Sequence, residues 1–274
     1  MTYQIIVDSA ADILSKEFEN AKCPIKVAPL TIKLGHEEYV DDETLDPILL
    51  LEKMGETTDK QTTSCPSPDV FAKLFSEADY TFCITISSKL SGTYNAALLA
   101  KDIASKDGKK VAVLDSLAVA GVERLMVLDI LKYLDEGKEF SEICDLIKKT
   151  NYQLLFVLSS FDNLVKNGRM SKFTGMVASL LSIRPLFCAH EGEIKLVKKI
   201  RTITKALEHL VDEMPNLKAK FSDVVITYCA NYEVAKKLAD KIKNKYADVN
   251  IYLVPTRGLT TFYANKDGII VSFR

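Results

Sequence analysis

In the first half of the chain, short β-rich runs alternate with helical patterns, and this constrains the fold more than any other feature. Tyr3–Val7 reads as a buried strand and Ala11–Asn20 as a helix. Ile25–Ile32 reads as a second strand, and Leu34–Asp42, with Gly35, as a loop or hairpin. Asp46-Pro47 opens a helix: the aspartate accepts from an orphan N–H, and proline lacks the N–H that would go unpaired. Ser67-Pro68-Asp69 repeats the device before a helix over Val70–Glu77. Strand Tyr80–Ile86, helix Ser91–Ser105, strand Lys110–Leu114 and helix Val119–Asp135, ended by Gly137, follow. Strands alternating with helices imply βαβ units and a parallel sheet, with ligands expected at the carboxyl ends of the strands near a topological switch point.

The second half changes character. Ser141–Lys149 reads as a helix, Gln153–Leu158 as a strand, and two short helices flank Gly168 and Gly175. Ile183–Ala189 and Glu193–Ile200 are strands joined by a tight turn at Glu191-Gly192, a hairpin and therefore an antiparallel pair. Helix Thr202–Met214, strand Val224–Tyr228, helix Tyr232–Lys245, strand Asn250–Val254 and a last strand over Gly268–Phe273 complete the chain. The expected fold is α/β in two domains. Residues 1–150 form a parallel α/β domain, and residues 151–274 form an α+β domain with a mixed sheet.

Hydrophobic residues make up 47% of the 274, enough for a core, so disorder is excluded. Basic and acidic side chains nearly cancel, 36 against 37, which argues against nucleic acid as a partner. Lys148-Lys149 and Lys198-Lys199 read as solvated faces. None of the six cysteines forms a C-x-x-C pair, and with three histidines no zinc spacing appears, so no metal is expected. Cys83, Cys144, Cys188 and Cys229 lie in apolar segments, a usage that suits a reducing compartment. No signal peptide is visible and no run nears the ~20 apolar residues of a membrane helix, so a cytoplasmic protein is expected.

Four segments carry possible chemistry. Ser87-Ser88-Lys89-Leu90-Ser91-Gly92-Thr93 follows a strand and opens a helix, where N–H groups and the helix dipole favour an anion; plain capping by Ser91 is the alternative. Thr62-Thr63-Ser64-Cys65-Pro66-Ser67-Pro68 gathers hydroxyls in a proline-bounded loop, or simply caps a helix at Ser67. Asp8-Ser9 ends the first strand, but Ala10 stands where a phosphotransfer motif needs its second aspartate; Asp115-Ser116 is similar. Arg169, after Gly168, suits a phosphate or carboxylate, or is a surface arginine. No histidine sits in these loops: His36 falls in the hairpin, His190 at a strand end and His209 on a helix. A serine nucleophile needs a base within reach. G-x-S-x-G, G-x-G-x-x-G and Walker patterns are missing.

Taken in order, these pieces resemble the DegV family over essentially the whole chain. The matching pieces are Asp8-Ser9, Thr63-Ser64-x-Pro66-Ser67, Ser88-x-Leu90-Ser91-Gly92-Thr93, Asp115-Ser116 and Gly168-Arg169-x-Ser171. Ile183-Arg184-Pro185-Leu186, Gly192-Glu193-Ile194 and Arg201-Thr202 continue the match. The resemblance implies a fatty acid buried between two domains, in a protein that is not itself an enzyme. It presents the acid to a separate fatty acid kinase catalytic subunit, which makes an acyl phosphate for phospholipid synthesis. No cofactor is implied beyond the bound fatty acid, and transient contact with a membrane surface fits that role. Carried over, Thr63 and Ser91 hold the carboxylate, with Ser64, Gly92 and Thr93 beside them, and Arg169 and Arg201 lie towards the carboxylate or the kinase-docking face.

Where the family usually reads Thr-His-Thr-Gly-Pro-Gly-Ala, this chain has Thr261-Phe262-Tyr263-Ala264-Asn265-Lys266-Asp267-Gly268. Tyr263 takes the histidine's place as a carboxylate ligand: a phenol donates a hydrogen bond but does not titrate near neutrality. Cys65 replaces a common glutamine. Two alternatives to the kinase-coupled carrier stand beside it: a lipid sensor or storage protein without a kinase, and an acyl hydrolase or transferase using Ser91 or Ser88.

Overall fold

The structure, a computed structural model, describes residues 1–171, 173 and 183–274. Strands β1 (Tyr3–Asp8), β2 (Ile25–Ala28), β6 (Tyr80–Thr85) and β7 (Lys110–Asp115) form a wholly parallel sheet in the order β2-β1-β6-β7. From β1 the chain passes first to β2 on one side and later to β6 on the other. The switch point therefore lies at the carboxyl ends of β1 and β6. There Asp8, fully buried, accepts from Ala10 N at 2.9 Å and Ile86 N at 2.8 Å, and so ties the two strand ends together.

A small antiparallel sheet, β4-β3-β5, sits beside this one, built from β3 (Thr31–Leu34), β4 (Glu37–Val40) and β5 (Gln61–Ser64). The single strand expected over Ile25–Ile32 is thus two strands in two sheets. Pro29 has no N–H to donate to a ladder, and the chain leaves the parallel sheet there. The hairpin expected over Leu34–Asp42 forms, with Gly35 at φ 63 in its turn. Residues expected as a helix over Ala11–Asn20 form two short 3-10 turns, Ser9–Ala11 and Ser15–Phe18. Between them Asp12 takes a left-handed backbone (φ 52), which ends a right-handed helix. Helices α1 (Pro47–Glu56), α2 (Pro68–Phe75) and α3 (Thr93–Lys106) follow. Asp46 caps α1 through Ile48 N and Leu49 N.

Helices α4 (Gly121–Asp135) and α5 (Phe140–Lys149) lead to a six-stranded mixed sheet in the order β10-β9-β8-β13-β11-β12. Its strands are β8 (Gln153–Val157), β9 (Leu186–His190), β10 (Glu193–Lys198), β11 (Asp223–Tyr228), β12 (Asn250–Pro255) and β13 (Ile269–Phe273). Only β11 and β12 pair in parallel. Helix α6 (Asp162–Lys166) is the one expected before Gly168; the one expected beside Gly175 lies outside the described residues. Helices α7 (Ile203–Leu217), α8 (Tyr232–Lys245) and α9 (Gly258–Ala264) complete the second half.

The alternation of β8 assigns its two faces. Leu155 and Val157 join a core that includes Leu210, Met214, Leu238 and Ile242 of α7 and α8. Leu154, Phe156 and Leu158 join a second core that runs into the parallel sheet through Ile5, Phe82, Val122 and Met126. Helix α4 is the shared wall. A methyl added at Gly121 would stand 2.8 Å from the Val225 side chain and 2.9 Å from that of Ser272, so the helix lies hard against β11 and β13.

Candidate binding site

Between the two large sheets lies an apolar cavity with about 830 Å³ of empty space, counting its mouth. Leu154, Phe156, Leu158 and Ile270 supply one wall, Ile86, Leu90 and Val119 another.

Hydroxyls gather at one end, each delivered by a different element. Thr63 arrives on β5, paired with Ile32; its neighbour Ser64 points the other way and is exposed. Ser91 arrives on the loop from β6 to α3, and its Oγ lies 2.8 Å from the Thr93 hydroxyl. Tyr263 arrives on α9, where Phe262 is buried with Ile32, Leu50 and Met54 while Tyr263 lines the cavity. The Thr63 and Tyr263 hydroxyl oxygens are 2.7 Å apart. Burial pushes the Tyr263 phenol up; the Thr63 hydroxyl and the positive charge of Arg169 pull the other way, and the net shift is upward.

Arg169 also lines this end. Its Nε donates to Leu90 O at 3.0 Å and its Nη1 to Asn167 O at 2.6 Å, so the guanidinium joins the β6–α3 loop to the segment after α6. Thr63, Ser91, Tyr263 and Arg169 therefore come together. Thr93 is buried behind Ser91, Gly92 is exposed beside it, and Arg201 is exposed; these three and Ser64 lie outside the lining. A methyl on Gly92 would stand 3.4 Å from the exposed Cys65 sulfur, so the two loops touch. Among the described residues, no histidine lines the cavity.

Several positioning residues carry no local sequence signal. Asp41, buried, accepts from Gly258 N at 2.8 Å and Leu259 N at 2.7 Å, and fixes the start of α9. Asp12 accepts from Arg257 N at 2.6 Å. Asn163 donates to Phe262 O at 2.9 Å, and Asn167 donates to Gln61 O at 3.2 Å. These bonds lock β5, α6 and α9 into one frame, and only the fold brings their residues near. At the hairpin between β9 and β10, Ser87 Oγ donates to Gly192 O at 2.8 Å. Gly192 has φ 83, and a methyl there would stand 2.7 Å from that oxygen.

Among the described residues, no group of side chains is arranged to hold a metal ion, and no helix is long and apolar enough to cross a membrane.

Comparison with known proteins agrees with this architecture. A DegV domain-containing protein of Streptococcus pneumoniae is 35% identical over 280 residues, covering 100% of this chain and 99% of its own. One from Streptococcus gordonii is 35% identical over 287 residues, with the same coverage. Among solved structures, a DegV family protein from Eubacterium eligens loaded with heptadecanoic acid superposes with a TM-score of 0.93 at 30% identity, covering 100% of this chain and 99% of that one. The fatty acid kinase B3 protein of Streptococcus pneumoniae, loaded with linoleic acid, superposes equally well at 34% identity and the same coverage. The family model described as "Uncharacterised protein, DegV family" matches residues 2–273, so the two large sheets are those of a DegV family fold, and this chain belongs to the DegV family.

Proposed function

We propose that this protein binds a long-chain fatty acid in the cavity, its carboxylate on the hydroxyls of Thr63, Ser91 and Tyr263. In this reading it presents that carboxylate to a separate kinase subunit, which forms the acyl phosphate. The observation that carries the reading is the convergence of the Thr63, Ser91 and Tyr263 hydroxyls, from β5, the β6–α3 loop and α9, at one end of a largely apolar cavity. An ionised carboxylate only accepts, and hydroxyls donate. Hydrogen bonds to a charged group contribute roughly 1.5–3 kcal/mol each. The tail adds about 0.8 kcal/mol per buried CH₂ and dominates affinity. Solved relatives loaded with heptadecanoic and linoleic acids support the ligand class, and the kinase B3 relative supports the partner.

In the same reading Thr93 orients the Ser91 hydroxyl, Arg169 stands at the carboxylate end, and exposed Arg201 belongs to the docking face. A hydrolase would need a base beside Ser91, whose hydroxyl instead pairs with Thr93. The division into domains at about residue 150 is also proposed. It places the parallel sheet and α4 in one unit and the mixed sheet in the other, and limited proteolysis releasing two stable fragments would support it.

Native mass spectrometry of the purified protein, with organic extraction, tests the ligand. One fatty acid per chain, bound more weakly but not lost at saturating ligand in Thr63→Ala and Ser91→Ala, supports the reading. A protein that is empty and takes up no added fatty acid refutes it. Acyl phosphate formed only when a fatty acid kinase catalytic subunit and ATP are added separates the carrier from a sensor or an enzyme.

A further inference from the structure

At the end away from the hydroxyls the cavity shares wall residues with a second space. Strand β8 gives the direction. Its last residue, Val157, pairs with Ile269, just after α9 and Tyr263, and the chain then enters α6 and reaches Arg169. Leu158 is thus at the hydroxyl end and Leu154 at the far end, about 13 Å away at ~3.3 Å per residue. At the far end the lining includes Leu117, Ala118 and Ala189.

Behind these three residues lies a second space, a cleft of about 1220 Å³ open to solvent. Leu117, Ala118 and Ala189 line it too, so each has the cavity on one side and the cleft on the other. Val113, Met126 and Ile147 give the cleft an apolar wall, and Asp115, Lys148 and His190 contribute polar groups. The two alanines reach no further than a methyl. Leu117 is the one long side chain of the three, and it is 47% exposed. Its backbone is left-handed, φ 51, held by Asp115 Oδ1 accepting from Leu117 N at 3.0 Å. Its Cδ2 would stand 3.3 Å from a methyl on Gly192, so the side chain leans on the hairpin tip and is not enclosed by a core. A half-exposed leucine between two methyls swings aside with little loss of buried area.

Resting on the fatty-acid reading above, we propose that Leu117 is a door at the tail end of the cavity. Acyl chains that fit stay behind it, and longer ones push it aside and lay their last carbons in the cleft. The ligand class therefore includes saturated chains too long for the cavity alone, and Leu117 and Ala189 set how readily they are accepted.

The test offers the purified protein an equimolar ladder of saturated fatty acids from fourteen to twenty-two carbons. Native mass spectrometry then reads the ratio of bound twenty-two-carbon to bound sixteen-carbon acid. Leu117→Gly removes the door at a position whose backbone glycine accepts without strain, and raises the ratio tenfold or more. Ala189→Leu fills the passage from the opposite side and lowers it tenfold or more. Ratios within twofold of the parent in both variants overturn the door. A parent that takes up no acid of any length overturns the fatty-acid reading, and the door with it.

Discussion

Removing one hydroxyl, in Tyr263→Phe, tests the carboxylate end most directly. In the free protein the phenol already has a partner, the Thr63 hydroxyl 2.7 Å away. Such a neutral bond contributes about 0.5–1.5 kcal/mol, and a bond to a carboxylate about 1.5–3 kcal/mol. In the proposed complex binding exchanges the first for the second, so the phenol's net contribution to affinity would be their difference, about 1–1.5 kcal/mol, or roughly 5- to 12-fold in Kd. That equals the loss from shortening the acyl chain by one or two methylenes at about 0.8 kcal/mol each. The assay is displacement of a fluorescent fatty acid at pH 7, run in parallel with the fatty alcohol of the same length. Tyr263→Phe should weaken the acid about 5- to 12-fold and the alcohol less than twofold. Equal losses for acid and alcohol, or no loss for either, would refute the assignment of the phenol to the carboxylate.

Three further outcomes are expected. Burial holds the Tyr263 phenol above its ordinary value, so parent affinity should be flat between pH 6 and 8. Tyr263→His puts a group titrating near ~6.5 in its place, and affinity should then be about fivefold higher at pH 6 than at pH 8 in the same displacement assay. Gly121→Ala forces a methyl to within 2.8 Å of Val225 and should cost about 1–3 kcal/mol, lowering the thermal midpoint by about 2–12 °C in a calorimetric scan. Burial raises Asp8 to about 7, outweighing the two N–H groups it accepts from, and raises buried Asp12, Asp41 and Glu123 in the same direction. The folded protein therefore binds a proton at Asp8 that the unfolded chain has already released. This stabilisation is complete below about pH 4 and is lost as pH rises through about 7, at up to about 1.4 kcal/mol per pH unit. Urea midpoints should fall from pH 5 to pH 8, and Asp8→Asn should flatten that slope.

The parallel sheet was legible because its strands are buried apolar runs punctuated by caps such as Asp46-Pro47. Thr63 and Ser91 were legible as hydroxyls preceding helices. The strand that carries Thr63 was not: Gln61-Thr62-Thr63-Ser64 has no apolar alternation and becomes β5 only by pairing with β3. Helix α9 was equally hidden. Gly258, Thr260 and Thr261 are weak helix formers, and the helix starts where Asp41, 217 residues earlier, accepts its first N–H groups. The reverse error at Ala11–Asn20 has a similar origin. Its apolar residues suggest a helix, but Asp12 turns left-handed and its carboxylate meets Arg257 N, 245 residues away. In each case long-range polar bonds override local propensity, and they do so in the segments that frame the hydroxyls.

This division of labour bears on how such a site would hand over its ligand. A cation bonded directly to the carboxylate would bind it tightly but would neutralise the oxygen that must attack phosphorus. Hydroxyls orient the group and leave its charge largely intact, and a carboxylate has about four lone-pair positions, so three donors leave one open. Arg169 fits this arrangement, since its Nε and Nη1 are engaged by the Leu90 and Asn167 carbonyls. Affinity then rests on the tail, where each buried methylene adds about 0.8 kcal/mol and the loss of one hydroxyl is small beside the sum. Occupancy and transfer should therefore separate. Protein loaded to saturation with a sixteen-carbon acid should stay filled in Thr63→Ala, yet form acyl phosphate with the kinase subunit and ATP at a rate at least tenfold lower. Parallel losses of occupancy and rate would show instead that the hydroxyls only hold the ligand and do not aim it.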